Sequence, residues 1–188
     1  MSYDFHLISR KAGSDLLVAA QSHLEAETDQ INPGPPVPEK EARKRRLVQS
    51  LKQQNPSLEP FQFGFAEIAK KYRISEDEAR VRYRHVELNG PEDGNGIQIV
   101  LYDDTASITF PFWHGAEAAL GVVNEIWRYL EILEKEGSLA TYDPQLEKIL
   151  DLKTDMSIVL ERYGKVVAKM PQMVAAATKA TRPWWKLW

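Results

Sequence analysis

The stretch from Ile97 to His114 constrains the fold more than any other part of the chain. Ile97, Ile99 and Leu101 alternate with Gln98, Val100 and Tyr102, and Asp103-Asp104 supply a tight turn. Ala106, Ile108, Phe110 and Phe112 then alternate with Ser107, Thr109 and Pro111. A period of two puts each apolar set on one face, so the stretch reads as a β-hairpin turned toward a core. Asp suits the turn because it tolerates left-handed backbone and bonds its own main chain. That backbone role is the expectation for Asp103 and Asp104, ahead of a paired-carboxylate site. Pro111 removes a ladder donor and predicts an edge or bulge at its end of the strand. Leu120, Val123, Trp127, Leu130 and Leu133 follow at helical spacing across 116–136, with Gly137 as the stop. Residues 138–142 read as a returning strand, ended by Asp143-Pro144.

The remaining segments arrange themselves around that unit. Residues 3–8 mix aromatic and branched side chains as a first strand does. Ser14 is placed to cap a helix over 15–28, with Asp15 in its first turn. Pro33, Pro35, Pro36 and Pro38 mark a linker that opens an insertion over about 39–83. The insertion reads as a basic helix over 39–54 and a helical pair over 65–72 and 76–83, the latter with a capping box at Ser75 and Glu78. Val86 sits in a short strand that adds a fifth member to the sheet in one version of the fold. A small turn or helix is expected at 145–150 and a final amphipathic helix over 156–170, interrupted by Pro171. Without the insertion the order is β-α-β-β-α-β, so the expected class is α+β, a ferredoxin-like antiparallel sheet with two helices on one face. Residues 1–152 form one domain on this reading, and 153–188 a C-terminal helix and Trp-rich tail.

Composition narrows the classes of function. Hydrophobic content of 43% and charged content of 27% are those of a globular domain. Cys is absent, so disulfides and thiolate ligands are excluded and a reducing compartment is favoured. No signal-peptide pattern or membrane span is legible, and a cytoplasmic location is expected. The net charge of −3 is unevenly placed: 39–85 holds 12 Lys/Arg against 7 Asp/Glu, and the rest of the chain 12 against 20. A basic patch of this kind is more often a solvated surface than a binding face.

Short aromatic motifs carry a family resemblance. Met1-Ser2-Tyr3-Asp4, Ile108 through His114, Trp127 and Tyr142-Asp143-Pro144-Gln145 together resemble a group of uncharacterised bacterial proteins of similar size. The resemblance covers about 1–28 and 84–152 and implies no defined activity. By analogy with other small α+β proteins, it suggests an immunity-type partner of a secreted toxin.

Chemistry-bearing motifs are weak. Residues 65–80 have the outline of a helix-turn-helix, but Arg73 stands where the turn glycine belongs. Glu76, Asp77 and Glu78 open the would-be recognition helix, where phosphates would repel them. The helical pair therefore reads as structural, with nucleic acid a secondary partner class. The strand Ala106–Phe112 lacks the basic residue and glycine that an RNA-binding sheet needs, so its aromatics read as core. His6, His23, His85 and His114 fall on separate elements, so neither a metal centre nor a cofactor site is expected. The candidate partner-binding residues are Arg43, Arg46, Arg80, Arg84, Trp184, Trp185 and Trp188, the tryptophans docking on their own chain or on another. Trp113, His114, Tyr142 and Asp143 form a candidate pocket on the enzyme reading, which ranks behind a protein-interaction module acting as monomer or homodimer.

Overall fold

The structure, a computed structural model, describes residues 2–10, 15–25, 34–91 and 94–180. The first strand, β1 (Ser2–Ser9), buries Tyr3, Phe5 and Leu7 on one face. The hairpin expected from the alternating pattern is present as β4 (Gln98–Leu101) and β5 (Ala106–Pro111), paired so that Ile99 faces Ile108. It lies beside β1, where Phe5 opposes Ile108. On the other side of β1 runs β6 (Leu139–Asp143), followed by the two-residue β7 (Lys148–Ile149). The opposite wing is formed by β3 (Val86–Asn89) and the short edge strand β2 (Glu59–Pro60). The result is one seven-stranded antiparallel sheet in the order β2-β3-β4-β5-β1-β6-β7. Both edges are two residues long, which leaves little unpaired backbone to template another strand.

Helices cover the sheet unequally. The face bearing Tyr3, Phe5, Leu7, Ile99, Ile108 and Phe110 is packed by α2 (Pro38–Gln54), α5 (Ala116–Gly137) and α6 (Met156–Ala180). Leu47 and Leu51 come from α2, Val123, Ile126 and Leu130 from α5, and Val159, Tyr163 and Val167 from α6. Tyr3, Phe5, Phe110, Phe112 and Tyr163 interlock at centroid distances of 5.1–6.0 Å, and the Tyr163 hydroxyl donates to the Pro111 carbonyl at 2.7 Å. Burial pushes the Tyr163 phenol up to about 12. On the reverse face, α1 (Leu16–Glu25) covers Ile8, Ala140 and Tyr142.

This arrangement corrects the ferredoxin-like expectation. The class is α+β as expected, but the sheet has seven strands and the first helix lies across the sheet from α5. The physical cause is visible at α2. Its Leu47 and Leu51 fill the groove beside α5 that a first helix would otherwise occupy, so the inserted helix is part of the core. Other local expectations shift too. Asp15 Oδ1 caps α1 by accepting from Leu17 and Val18 N–H at 3.0 and 3.2 Å, while Ser14 and 26–28 lie outside the described residues. Gly137 remains helical and Ser138 takes the left-handed position (φ 52°). Leu120 faces away from the core and is 52% exposed. Of the turn or helix expected at 145–150 the turn is present, followed by β7, and α6 continues through Pro171. Pro111 sits inside the sheet, opposite Ser2 and beyond the last β4 pair at Thr109, so no ladder bond to β4 is lost.

One polar cluster fastens α2 to the sheet. The Lys44 side chain is 1% exposed, and its Nζ reaches Asp103 Oδ1 at 3.0 Å, the Arg84 carbonyl at 3.0 Å and Glu41 Oε1 at 2.8 Å. Arg84 donates to the other Asp103 oxygen and to the carbonyls of Gly34 and Val81. Arg43 donates to the carbonyls of Gly137 and Asp103. Burial alone would raise the Asp103 carboxyl, but bonds from Arg84 and Lys44 and their charges outweigh it and hold the group below the usual carboxylate range. Folding stability from Asp103 is therefore present above its unfolded pKa and lost as pH falls through its folded one. Asp103→Ala leaves two cations facing a half-dismantled site and is expected to cost about 3–5 kcal/mol. Urea unfolding checks this, and a cycle with Lys44→Met should be strongly less than additive.

Candidate interaction surface

The surface begins where β2 leaves the sheet. The Phe61 N–H donates to the Glu87 carbonyl at 2.8 Å, which prolongs the edge pairing by one residue. Phe61, Phe63 and Phe65 alternate along this extended entry into α3 (Phe65–Tyr72) and meet ring to ring at 5.0 and 6.0 Å. Phe63 also meets His85 at 4.8 Å, His85 meets Tyr102 at 5.2 Å, and Tyr83 meets Tyr72 at 5.9 Å. A continuous band of rings therefore runs from the sheet edge onto the helical pair formed by α3 and α4 (Glu76–Arg82). Phe61 remains 50% exposed and Tyr72 44%. No residue of α3 is buried, although its apolar side is strongly segregated. A helix with an apolar face and no buried side chain is stabilised only by its neighbour until something covers it.

The α3–α4 turn explains why the pair folds as a hairpin. The Ile74 N–H closes on the Ala69 carbonyl at 3.1 Å, and Ser75 Oγ accepts the Glu78 N–H at 3.0 Å as the expected cap. Glu78 pairs with Arg82 one turn on. Arg73 occupies the left-handed position (φ 56°), where an L side chain costs about 1–2 kcal/mol and glycine costs almost nothing. Lys70, Lys71, Tyr72 and Arg73 are all exposed, and Lys71 Nζ lies 5.2 Å from the Tyr72 ring. At the opposite end Arg80 lies 4.6 Å from the Phe65 ring and pairs with Glu76 at 2.5 Å.

The sequence-derived candidates disperse. Arg43 and Arg84 belong to the Lys44 cluster, Arg46 is exposed on α2, and Arg80 lies on the ring band. Trp184, Trp185 and Trp188 lie outside the described residues. Trp113 is 69% exposed and rests against Gly96, where an added Cβ would stand 2.6 Å from its ring. His114 Nε2 pairs with the Asn95 carbonyl at 2.8 Å. Tyr142 is buried under α1. The adjacent Asp143 points to the other sheet face and accepts from the Tyr3 hydroxyl at 2.5 Å and from Gln145 and Leu146 N–H. Burial raises the Asp143 carboxyl above its ordinary value against these bonds. The four candidate pocket residues thus do not converge.

Sequence reasoning missed a polar cleft of about 230 Å³ between the end of α2, the loop before β4 and α5. Within it Glu125 accepts from Asn55 at 2.9 Å, from the Tyr129 hydroxyl at 2.5 Å and from Asn95. These groups satisfy one another, so the cleft reads as a polar clasp and not as a reaction centre. Among the described residues no three His, Asp or Glu side chains are grouped to hold a metal, and no helix is long and apolar enough to cross a membrane.

Two measurements probe the band. Arg73→Gly is expected to raise stability by about 0.5–1 kcal/mol by relieving the left-handed strain, read from the urea midpoint. Burial pushes the His85 imidazole below its ordinary value, against the raising effect of Glu87. Its stability contribution is complete above the unfolded value of about 6.5 and is lost as pH falls from there toward the folded pKa. His85→Phe should flatten the fall in stability between about pH 7 and pH 5, measured by unfolding at each pH.

Comparison of the chain with protein-family models, with curated proteins and with solved structures finds no match in any of the three.

Proposed function

We propose that this chain is a protein-interaction module that meets its partner through the ring band on α3 and α4. The observation that carries the reading is α3 itself: eight residues, an apolar side lined by aromatics, and no buried side chain. Aromatic side chains dominate binding hot spots because they bury large areas at small entropic cost. An immunity-type role against a toxin is the specific form of this reading, and it rests on analogy of size and fold class. Of the four candidate partner-binding arginines, Arg43 and Arg84 are taken up by the Lys44 cluster; a nucleic-acid role for the insertion is further opposed by Glu76, Asp77 and Glu78, which open α4 with charge that a phosphate backbone repels. The enzyme reading lacks convergent groups, since His114 and Asp143 have different partners.

The test compares the full chain with a Phe61→Ser/Tyr72→Ser variant as bait in cross-linked extracts of the source cells. Both sites are exposed, so the variant should retain stability within about 0.5 kcal/mol. A protein held by the wild type and lost by the variant, and rebinding as a pure component, is the expected result. Identical captures by both baits would overturn the reading.

A further inference from the structure

We infer that His85 is a proton-operated latch between the α3–α4 hairpin and the sheet, closed while its imidazole is neutral and opened when the ring takes a second proton. The inference concerns the hairpin itself and goes beyond the partner reading above, so its test needs no partner. Its first support is position. His85 stands one residue before β3, between two groups of rings. Phe63 before α3 and Tyr83 after α4 lie 4.8 and 6.2 Å from it, and Tyr102 at the end of β4 lies 5.2 Å away. The imidazole thus joins rings of the hairpin to a ring of the sheet. The two helices pack chiefly on each other, and no side chain of α3 is buried. Little else of apolar character ties the hairpin down.

The second support is the hydrogen bonding of the ring. Nδ1 of His85 is buried and has no hydrogen-bond partner. A neutral imidazole accommodates this by carrying its proton on Nε2, but an imidazolium donates from both nitrogens. Protonation therefore creates a buried N–H without an acceptor, and a buried charge with it. Turning the ring into water relieves that cost and breaks the contacts to Phe63 and Tyr102. The charges nearby do not remove it. Lys44 of α2 opposes a further positive charge, and Asp103 is already occupied by Lys44 and Arg84. Glu87 favours the cation, but its Oε1 accepts from Asn89 and Gln98 at 3.0 and 2.7 Å, and burial outweighs it. Tyr83 and Tyr102 present phenols that stay uncharged near neutral pH. A released ring titrates near about 6.5 and the latched ring at lower pH. Each pH unit below about 6.5 therefore favours release by up to about tenfold.

The experiment follows backbone hydrogen exchange of the full chain between about pH 7 and pH 5, corrected for the intrinsic pH dependence of exchange, beside the imidazole resonance of His85. Protection across residues 65–82 should fall about tenfold between about pH 6 and pH 5, while that of 116–137 stays constant. His85→Phe keeps a ring that takes no proton, so the hairpin's protection should stay level across the range. His85→Gln removes the ring and should lower protection at every pH, with no slope. Should the phenylalanine variant not fold, the glutamine variant carries the test, together with the coincidence of imidazole titration and hairpin opening in the wild type. An equal fall across 116–137 overturns the latch, since acid then loosens the whole fold. So does a fall that persists in either variant, a hairpin already unprotected at pH 7, or an imidazole that titrates while the hairpin stays closed.

Discussion

The burial of Lys44 between α2 and the β4–β5 turn is the constraint on which the rest of the architecture hangs. An ammonium taken out of water costs several kcal/mol unless its donors are met. Here Asp103 and the Arg84 carbonyl, from two distant stretches of chain, accept from it, and Glu41 on its own helix adds a carboxylate at 2.8 Å. The ion cannot be satisfied unless α2, the strand entry at Arg84 and the hairpin turn arrive together. Such a cluster contributes specificity of arrangement more than net stability, since a packed apolar substitute can be equally stable. Once α2 is held there, Leu47 and Leu51 occupy the groove beside α5, and α1 is left to cover the other face of the sheet.

That placement also accounts for the exposed ring band. With α2 filling the main core, the chain returns to the sheet edge through β2 and continues as α3 and α4, whose rings meet His85 and Tyr102 at the end of the β3–β4 pair. The hairpin has no large apolar surface to fold onto, so its aromatics stack along one another and along His85 and Tyr102. The inner rings are half-buried, which drives the His85 imidazole down and the Tyr102 phenol up. The outer rings, Phe61 and Tyr72, remain in water. A surface like this is stable in the free protein and still offers apolar area to a partner.

Much of the scaffold was legible from local pattern. The hairpin at 97–112, the helix over 116–136 and the Ser75 cap follow from period and capping chemistry, and the structure has all three. The misses have physical causes. Asp103 reads locally as a turn residue, and its role as the counter-charge of Lys44 depends on a partner 59 residues away. The basic helix of the insertion was the available signal, because a lysine at a core-facing position of an amphipathic helix demands a carboxylate nearby. Glu125 and Asn55 gave no such warning, since a polar residue at a helix end is ordinary and their meeting is purely tertiary. Tyr142 and Asp143 are adjacent in the motif but cannot share one pocket, because neighbouring strand residues face opposite sides of a sheet.

By itself, then, the order of residues determined the elements: which stretches alternate, which spiral, and where the basic and aromatic side chains gather. These are short-range properties, set by backbone sterics and the period of apolar positions. The tertiary structure alone decided which face each helix covers, which arginines are consumed internally, and which rings are left uncovered. Those outcomes arise from competition for one limited apolar sheet face and from the need to pair every buried charge, and both are settled only when distant segments meet.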